Sequence, residues 1–182
     1  MGIATLHPSA VVCDRISAKG QTMTLDLCLR SISPNLRGTR ATDGDINFLQ
    51  SRLPASLTPD WLMALLRGHP LGGVGFSLNA DHDESGIGAE LIWLTPAQIV
   101  SESVECQPGI SVLSHGFLPI GACAVGSGDP YFLDLRNSSD DPPLVRVPHD
   151  YASSRPYPCA KIEIVTSSMS DLFRNSRIFG NA

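Results

Sequence analysis

Carboxylates and a histidine are concentrated in the C-terminal third of the chain, where their side chains could do chemistry. Asp129, Asp134, His149 and Asp150 combine oxygen and imidazole groups. Such groups hold divalent metals or act as general acid and base, so a small metal-dependent hydrolase stays open as an alternative. The five histidines, however, show no ligand spacing such as H-x-x-x-H. We therefore favour a structural role for these residues, and expect no catalytic residue, metal or cofactor.

Two acidic loops point instead to binding. Asp81, Asp83 and Glu84 lie in the polar segment NADHDESGIG, and Asp140 and Asp141 precede two prolines. The first segment lacks the later ligands of an EF-hand loop, so it does not predict a calcium site. Exposed carboxylates attract a basic partner over a long range, in a way that salt screens. We predict that these five residues form the rim of a partner-binding surface.

Composition describes a globular protein with room for such a surface. The chain has 182 residues, 18 acidic and 13 basic side chains and a formal net charge of −5. Its 42% hydrophobic and 17% charged residues exclude a disordered chain, and its length suits one domain. No basic stripe is present, so nucleic acid is not an expected partner. Aromatic side chains often anchor protein interfaces, and the candidates near the acidic residues are Tyr131 and Tyr151.

The cysteines and the N-terminal residues bear on the compartment. The five cysteines are odd in number, and none forms a C-x-x-C pair that would predict a zinc or redox site. The segment 1–6 lacks the basic and apolar regions of a secretory signal. No apolar stretch approaches the roughly 18 residues of a membrane span. We expect a cytoplasmic protein with reduced thiols and no membrane association.

The elements that position these residues begin with an alternating pattern. In Thr22–Arg30, apolar side chains occupy every second position, which predicts a strand with one buried face. With Val11–Cys13 and a turn at Lys19–Gly20, this predicts a β-hairpin over about residues 10–30. Turn-forming residues follow up to Gly44. Residues 1–44 are thus predicted to be an N-terminal hairpin and loop extension.

The rest of the chain alternates helix and strand patterns. Thr58-Pro59 and Thr95-Pro96 each place a capping hydroxyl before a proline, which predicts helices over Trp61–Leu66 and over residues 96–104. A short helix after Asp45 and a terminal helix complete the set, and the predicted strands are 72–78, 90–94, 110–113, 117–121, 131–135, 144–147 and 161–165. Residues 45–182 are therefore predicted to be a single α+β domain, a mostly antiparallel twisted sheet with helices packed on one side.

One stretch carries a family resemblance. Gly116–Gly121 reads GFLPIG, and Gly126–Leu135 supplies a glycine turn followed by a strand of the form G-D-x-x-x-L-D-L. These motifs resemble the SUKH superfamily, which includes the fungal cell-wall assembly regulator and many bacterial immunity proteins. Val145–Asp150 is similar to the family strand that ends in a His-Asp pair. The resemblance covers roughly residues 45–180, and its motif residues are Leu118, Pro119, Gly121, Gly128, Asp129, Leu133 and Asp134.

The resemblance implies an α+β fold, no catalytic activity and structural roles for the motif residues. Many bacterial members are taken to neutralise a toxin, often a nuclease, by direct binding. We therefore expect a non-enzymatic protein-binding module of the immunity type, acting as a monomer or weak homodimer on a basic toxin domain. Two alternatives remain: the hydrolase named above, and a structural protein that oligomerises through the edge of the N-terminal hairpin.

Overall fold

The computed structural model describes residues 25–125, 127–137 and 139–180. Within them the chain forms a single α+β domain, which confirms the predicted fold class. The helices are α1 Leu25–Ile32, α2 Asp43–Arg52, α3 Asp60–Gly68, α4 Pro96–Val104, α5 Gly109–Val112 and α6 Met169–Asn175. The strands are β1 Gly75–Leu78, β2 Ala89–Trp93, β3 Phe117–Cys123, β4 Tyr131–Asp134, β5 Leu144–Arg146, β6 Glu163–Thr166 and β7 Arg177–Phe179.

All strand pairs in the sheet are antiparallel, in the order β6-β5-β4-β3-β2-β1-β7. The sheet curls, so the loop between β1 and β2 reaches the far strand β6. There the backbone N–H of Glu84 donates to the carbonyl of Val165 over 2.9 Å. The first acidic loop, between β1 and β2, therefore lies at the β6 end of the sheet, although β1 and β2 lie near the other end.

Side chains that alternate along the strands build a core on each face. The larger core joins one face to α1, α2, α3, α4 and α6, with Phe76, Trp93 and Phe173 in mutual ring contact at its centre. A smaller core covers the other face beside β3, β4 and β5, and consists of Val112, Phe117, Phe132, Val145, Val147 and Tyr157. The helices therefore lie mainly on one side, as predicted, and α5 contributes Val112 to the other.

Polar side chains fix the helix starts. The hydroxyl of Thr42 accepts from the backbone N–H of Asp45, whose carboxylate in turn accepts the N–H of Thr42. Thr95 and Gln98 form the corresponding capping box of α4, where Pro96 is the first helical residue. These local signals fix the starts of α2 and α4. At α3 the predicted hydroxyl cap does not form, because the N-cap residue is Pro59 and the Thr58 hydroxyl donates to the Pro54 carbonyl over 3.4 Å.

The predicted strand over Thr22–Arg30 is wrong from Leu25 onward, because this segment is α1. Leu25, Cys28, Leu29 and Ile32 also follow the helical spacing i, i+3, i+4, i+7, and this stripe packs into the main core. Leu27 breaks the alternating pattern, since this residue is 51% exposed. The remainder of the predicted hairpin, residues 10–24, lies outside the described residues.

The predicted strand over residues 110–113 is also wrong, because α5 occupies it. Gly109 lies so close to α4 that an added Cβ would overlap the backbone carbonyl of Glu102. Val112 is completely buried in the smaller core, whereas Ile110 is exposed. The short apolar segment was therefore predicted as a strand, although it forms a single helical turn with one buried aliphatic side chain.

Candidate binding groove

A groove of about 710 Å³ opens between α1, α3 and the loop that follows β4. Its floor is apolar, because Leu29 from α1 and Leu65 from α3 reach it from the main core. Trp61 is half-buried in its wall, and Ala64 is exposed one turn along α3. An apolar concave surface with few polar groups is the usual form of a ligand or peptide site. The groove is lined by Leu25, Asp26, Leu29, Arg30, Trp61, Ala64, Leu65, Gly68, His69, Asp140 and Asp141.

The helical repeat explains how α3 serves both the core and the groove. Leu62, Met63, Leu65 and Leu66 are buried in the main core. Trp61, Ala64 and Gly68 follow the spacing i, i+3, i+7, so they share the other face of the helix, which lines the groove. The sequence predicted the helix, with Trp61 in one apolar stripe with Leu62, Leu65 and Leu66, whereas the structure places Trp61 in the groove wall. The sequence did not reveal that the opposite stripe faces a groove.

The rim of the groove is acidic. Among the described residues, Asp26, Asp140 and Asp141 line it together with Arg30, whose guanidinium donates to Asp26 over 2.7 Å. Burial lowers the pKa of His69 from its ordinary value, even though its ring lies 3.9 Å from the Asp26 carboxylate. His69 is therefore neutral near pH 7. Around the apolar floor, the described lining residues thus comprise three carboxylates and the guanidinium of Arg30, and Arg40 donates to the carbonyl of Gly68 at the edge of the groove.

The second predicted loop contributes to this rim. Asp140 is exposed, and Asp141 is half-buried because its carboxylate accepts the backbone N–H of Ser170 over 2.9 Å. That hydrogen bond attaches the loop to the first turn of α6. Both predicted residues therefore lie at the groove, and Asp141 is also held in place by the fold.

The first acidic loop has a different role. The Asp83 carboxylate, 0% exposed, lies 3.3 Å from the Arg146 guanidinium, which is itself only 3% exposed. Asp83 also accepts the backbone N–H of Ser85 over 2.8 Å. Asp83 is thus unable to meet a partner at the surface. Asp81 and Glu84 are exposed, so of the three residues predicted in this loop only these two are accessible to a partner.

Arg146 joins this loop to the sheet, because its guanidinium contacts residues of both. Its Nη1 donates to Glu163 over 2.9 Å and to the Ser85 hydroxyl over 3.0 Å, and its Nη2 donates to the Gly88 carbonyl over 2.7 Å. The centroid of the Tyr131 ring lies 5.4 Å from its guanidinium carbon. Burial disfavours the charge, but Tyr131, Glu163 and Asp83 outweigh it and raise the pKa of Arg146. Arg146 is a key residue that the sequence did not single out.

The two predicted aromatic anchors lie away from the groove. Tyr131 is 1% exposed and belongs to the main core, so it cannot anchor a partner. Tyr151 is half-buried, with its ring edge-on to Tyr157 at 6.5 Å and the Lys161 amine 6.0 Å away. The aromatic residue that the fold places beside the acidic rim is Trp61.

The predicted acid–base cluster divides in two. The Asp129 carboxylate lies 2.6 Å from His149 Nδ1 and accepts the His149 backbone N–H, while Asp150 lies 3.7 Å from Nε2. Asp134 lies at the other end of β4 and pairs with Arg136 through two hydrogen bonds of 2.8 and 2.6 Å. Across the described ranges, no group of three or more His, Cys, Asp or Glu side chains has the arrangement of a metal site.

The motif residues of the suspected family have structural contacts. Leu118 and Leu133 are register partners on β3 and β4 and are buried in the main core. Gly121 is closely packed, since an added Cβ would lie 2.6 Å from a Leu91 methyl group. Gly128 has a φ of +74°, which favours glycine. Pro119 is buried in β3, where its register partner is Phe132.

Comparison with protein-family models, curated proteins and solved structures found no significant match. The similarity to the SUKH superfamily therefore rests on the sequence motifs. In the part of the chain that the structure describes, no helix combines the length and the apolar character needed to cross a membrane.

Proposed function

We propose that this protein is a non-enzymatic binding module that holds a basic protein partner in the groove between α1 and α3. The observation that carries the proposal is the groove itself, in which an apolar floor adjoins Asp26, Asp140 and Asp141. A partner that buries apolar side chains on Leu29 and Leu65 gains the hydrophobic contribution to binding. The carboxylates favour partners with Lys or Arg beside those apolar side chains.

Trp61 supplies the anchor in this proposal. Tryptophan is enriched among the interface residues that contribute most to binding. Its position in the groove wall, half-buried against its own chain, holds the ring in place before a partner arrives. Less side-chain entropy is then lost on binding.

A more specific proposal follows from the family resemblance. SUKH-type immunity proteins are taken to neutralise toxins by direct binding, and many of those toxins are nucleases. A nuclease domain that binds nucleic acid carries a basic surface. The acidic rim and the net charge of −5 support a partner of that charge. We therefore propose an immunity-type role, with a basic toxin domain as the partner.

The hydrolase remains the second candidate, because one observation favours it. His149 is 51% exposed and holds Asp129 at Nδ1, an arrangement that orients an imidazole for proton transfer. Melting the protein with and without added divalent metal distinguishes the two proposals. A metal that binds the native site raises the melting temperature, whereas the binding-module proposal expects no change.

A capture experiment with three baits tests the groove. The baits are the wild type, Ala64→Arg in the groove, and the double variant Asp81→Ser/Glu84→Ser, which removes exposed charge elsewhere. We expect lysate of the source organism to yield one basic protein on the wild type and on the loop variant, released by a salt step. Ala64→Arg should lose it, because the new side chain fills the groove and repels a cation. Capture that survives Ala64→Arg but is lost with the loop variant would place the site at the loop instead.

A further inference from the structure

A second cavity of about 410 Å³ adjoins the groove, because Trp61 lines both. Its volume falls within the range of small-molecule sites. The side chains of Leu57, Pro59, Trp61 and Leu135 give it an apolar part. Its charge is opposite to that of the groove, since its described lining residues include the Arg136 guanidinium and no Asp or Glu.

The fold holds the Arg136 side chain in one position. Its Nε and Nη2 donate to the two carboxylate oxygens of Asp134 over 2.8 and 2.6 Å. Its guanidinium carbon lies 4.6 Å from the centroid of the Phe117 ring. Its Cγ passes so close to Gly116 that a Cβ added there would lie 2.8 Å from it. A guanidinium held in this way loses little side-chain entropy when it binds a ligand.

The pair with Asp134 leaves one edge of the guanidinium unused. Within the described residues, no hydrogen bond engages Nη1 of Arg136, because the contacts to Asp134 use Nε and Nη2. The Asp134 side chain is only 9% exposed, whereas that of Arg136 is 52% exposed. Nη1 and the outer N–H of Nη2 form a fork that matches two oxygens of a carboxylate or phosphate. The accessible part of this ion pair is therefore its cation.

Other donors accompany this cation. Ser56 and Ser114 are exposed at the cavity, and their hydroxyls form no hydrogen bond within the described part of the chain. His115 also lines the cavity, and its imidazole can donate from a ring N–H in either tautomer. The polar groups that line the cavity can thus all donate, which suits an anionic ligand.

We infer that this cavity binds a small ligand in which a carboxylate or phosphate group is carried on a flat apolar body. The oxyanion accepts hydrogen bonds from the outer fork of Arg136. The apolar body packs against Trp61 and Leu57. This site is distinct from the acidic groove and needs no protein partner, so it does not rest on the proposed function.

Titration of the full chain with phenyl phosphate and with benzoate tests the site by NMR at constant ionic strength. The chain has two tryptophans, so a ¹⁵N-labelled sample gives two indole N–H signals, which the variant Trp61→Phe assigns. Trp93 is completely buried in the main core and serves as the internal control. Benzyl alcohol, which has the same ring and no charge, is the control ligand.

We expect both anions to shift the Trp61 signal saturably and to leave the Trp93 signal in place. Dissociation constants of about 1–10 mM are expected for ligands of this size with one charge-assisted pair, and benzyl alcohol should bind about tenfold more weakly or worse. Tighter binding of phenyl phosphate would support a phosphate ligand, tighter binding of benzoate a carboxylate ligand, and equal binding an oxyanion of either kind. No shift with either anion, equal shifts of both indoles, or equal binding of benzyl alcohol would overturn the inference.

Substitutions locate the bound anion. Arg136→Gln should weaken binding of both anions by about tenfold or more, since it removes the charged fork. Arg67→Gln is the matched control, because Arg67 is also half-exposed and paired with an aspartate but does not line the cavity. Ser56→Asp places a carboxylate at an exposed position in the cavity and should weaken binding as much, which keeps the test intact if Arg136→Gln fails to fold. Unchanged binding by Ser56→Asp, or equal weakening by Arg67→Gln, would overturn the inference.

Discussion

Two acidic loops that look alike in the sequence have opposite surroundings in the structure. In the β1–β2 loop, Asp83 is buried against Arg146 and holds the loop on the far strands. In the β4–β5 loop, Asp140 stays exposed at a groove whose floor is apolar. The difference comes from what lies opposite each carboxylate: a buried guanidinium in one case, solvent in the other. An acidic loop is therefore a candidate for binding only when the fold supplies no internal cation for it.

The largest effect should follow from removing the internal cation. Arg146→Ala leaves Asp83 buried without its partner, and this should lower the free energy of unfolding by about 3–5 kcal/mol. Arg174→Ala is the matched control, because Arg174 pairs with Asp171 over 2.8 Å at the surface. That change should cost less than about 1 kcal/mol. Urea denaturation of both variants measures the two values, and equal losses would remove the distinction between the loops.

The groove should show the reverse behaviour. Ala64→Arg should change the free energy of unfolding by less than about 0.5 kcal/mol, since Ala64 is exposed. The same change should weaken binding of the captured partner by about tenfold or more, equivalent to about 1.4 kcal/mol. Titration calorimetry with the purified partner and urea denaturation give the two numbers. An unfolded variant, or unchanged affinity, would contradict this use of the groove.

Asp134 is an intermediate case, a carboxylate paired with a half-exposed arginine. Burial opposes its ionisation, but hydrogen bonds from Arg136 outweigh this and hold the pKa of Asp134 below its usual range. The charged form is thus favoured on folding, and its stabilisation is lost as the pH falls through the folded-state pKa. Asp134→Asn should destabilise the protein by about 1 kcal/mol near pH 7. The gap from the wild type should shrink in acid, and a gap independent of pH would be inconsistent with this pairing.

The smallest effect concerns the exposed rim. Asp140→Asn removes one charge, so it should slow association with a basic partner several-fold and leave dissociation nearly unchanged. The difference from the wild type should disappear as salt is added. Stopped-flow association at low and high salt checks this. Asp81→Asn serves as the control, and an equal slowing by that change would show that both loops attract the partner.

The sequence predicts the fold well where signals are local. Thr95 and Pro96 mark the start of α4, and short apolar runs between turns mark strands such as β4 and β5, which are buried along their whole length. The sequence-based prediction fails at α1. The leucines of α1 occupy every second position, as in a strand, but the stripe through Cys28 and Leu29 has the helical period. Only packing against the core decides between them.

The site was harder to predict than the fold. The two acidic loops were found, but Arg146 is 63 residues from Asp83, and no local pattern connects them. The groove needs α1, which was predicted as a strand, and α3 side by side. Residues that are brought together only by tertiary structure leave no periodic signal in the chain.

The central claim is that one acidic loop stabilises the fold while the other serves binding. The most direct test measures Asp83→Ala and Asp140→Ala together. Each variant is assayed for its free energy of unfolding and for retention of the captured partner. We predict that Asp83→Ala loses about 3 kcal/mol of stability, because it removes the buried carboxylate beside Arg146 and leaves only Glu163, which is half-exposed, yet the variant still binds under conditions where it is folded. Asp140→Ala should keep its stability and bind more weakly. Equal stability of the two variants, or weaker binding by Asp83→Ala alone, would contradict the account.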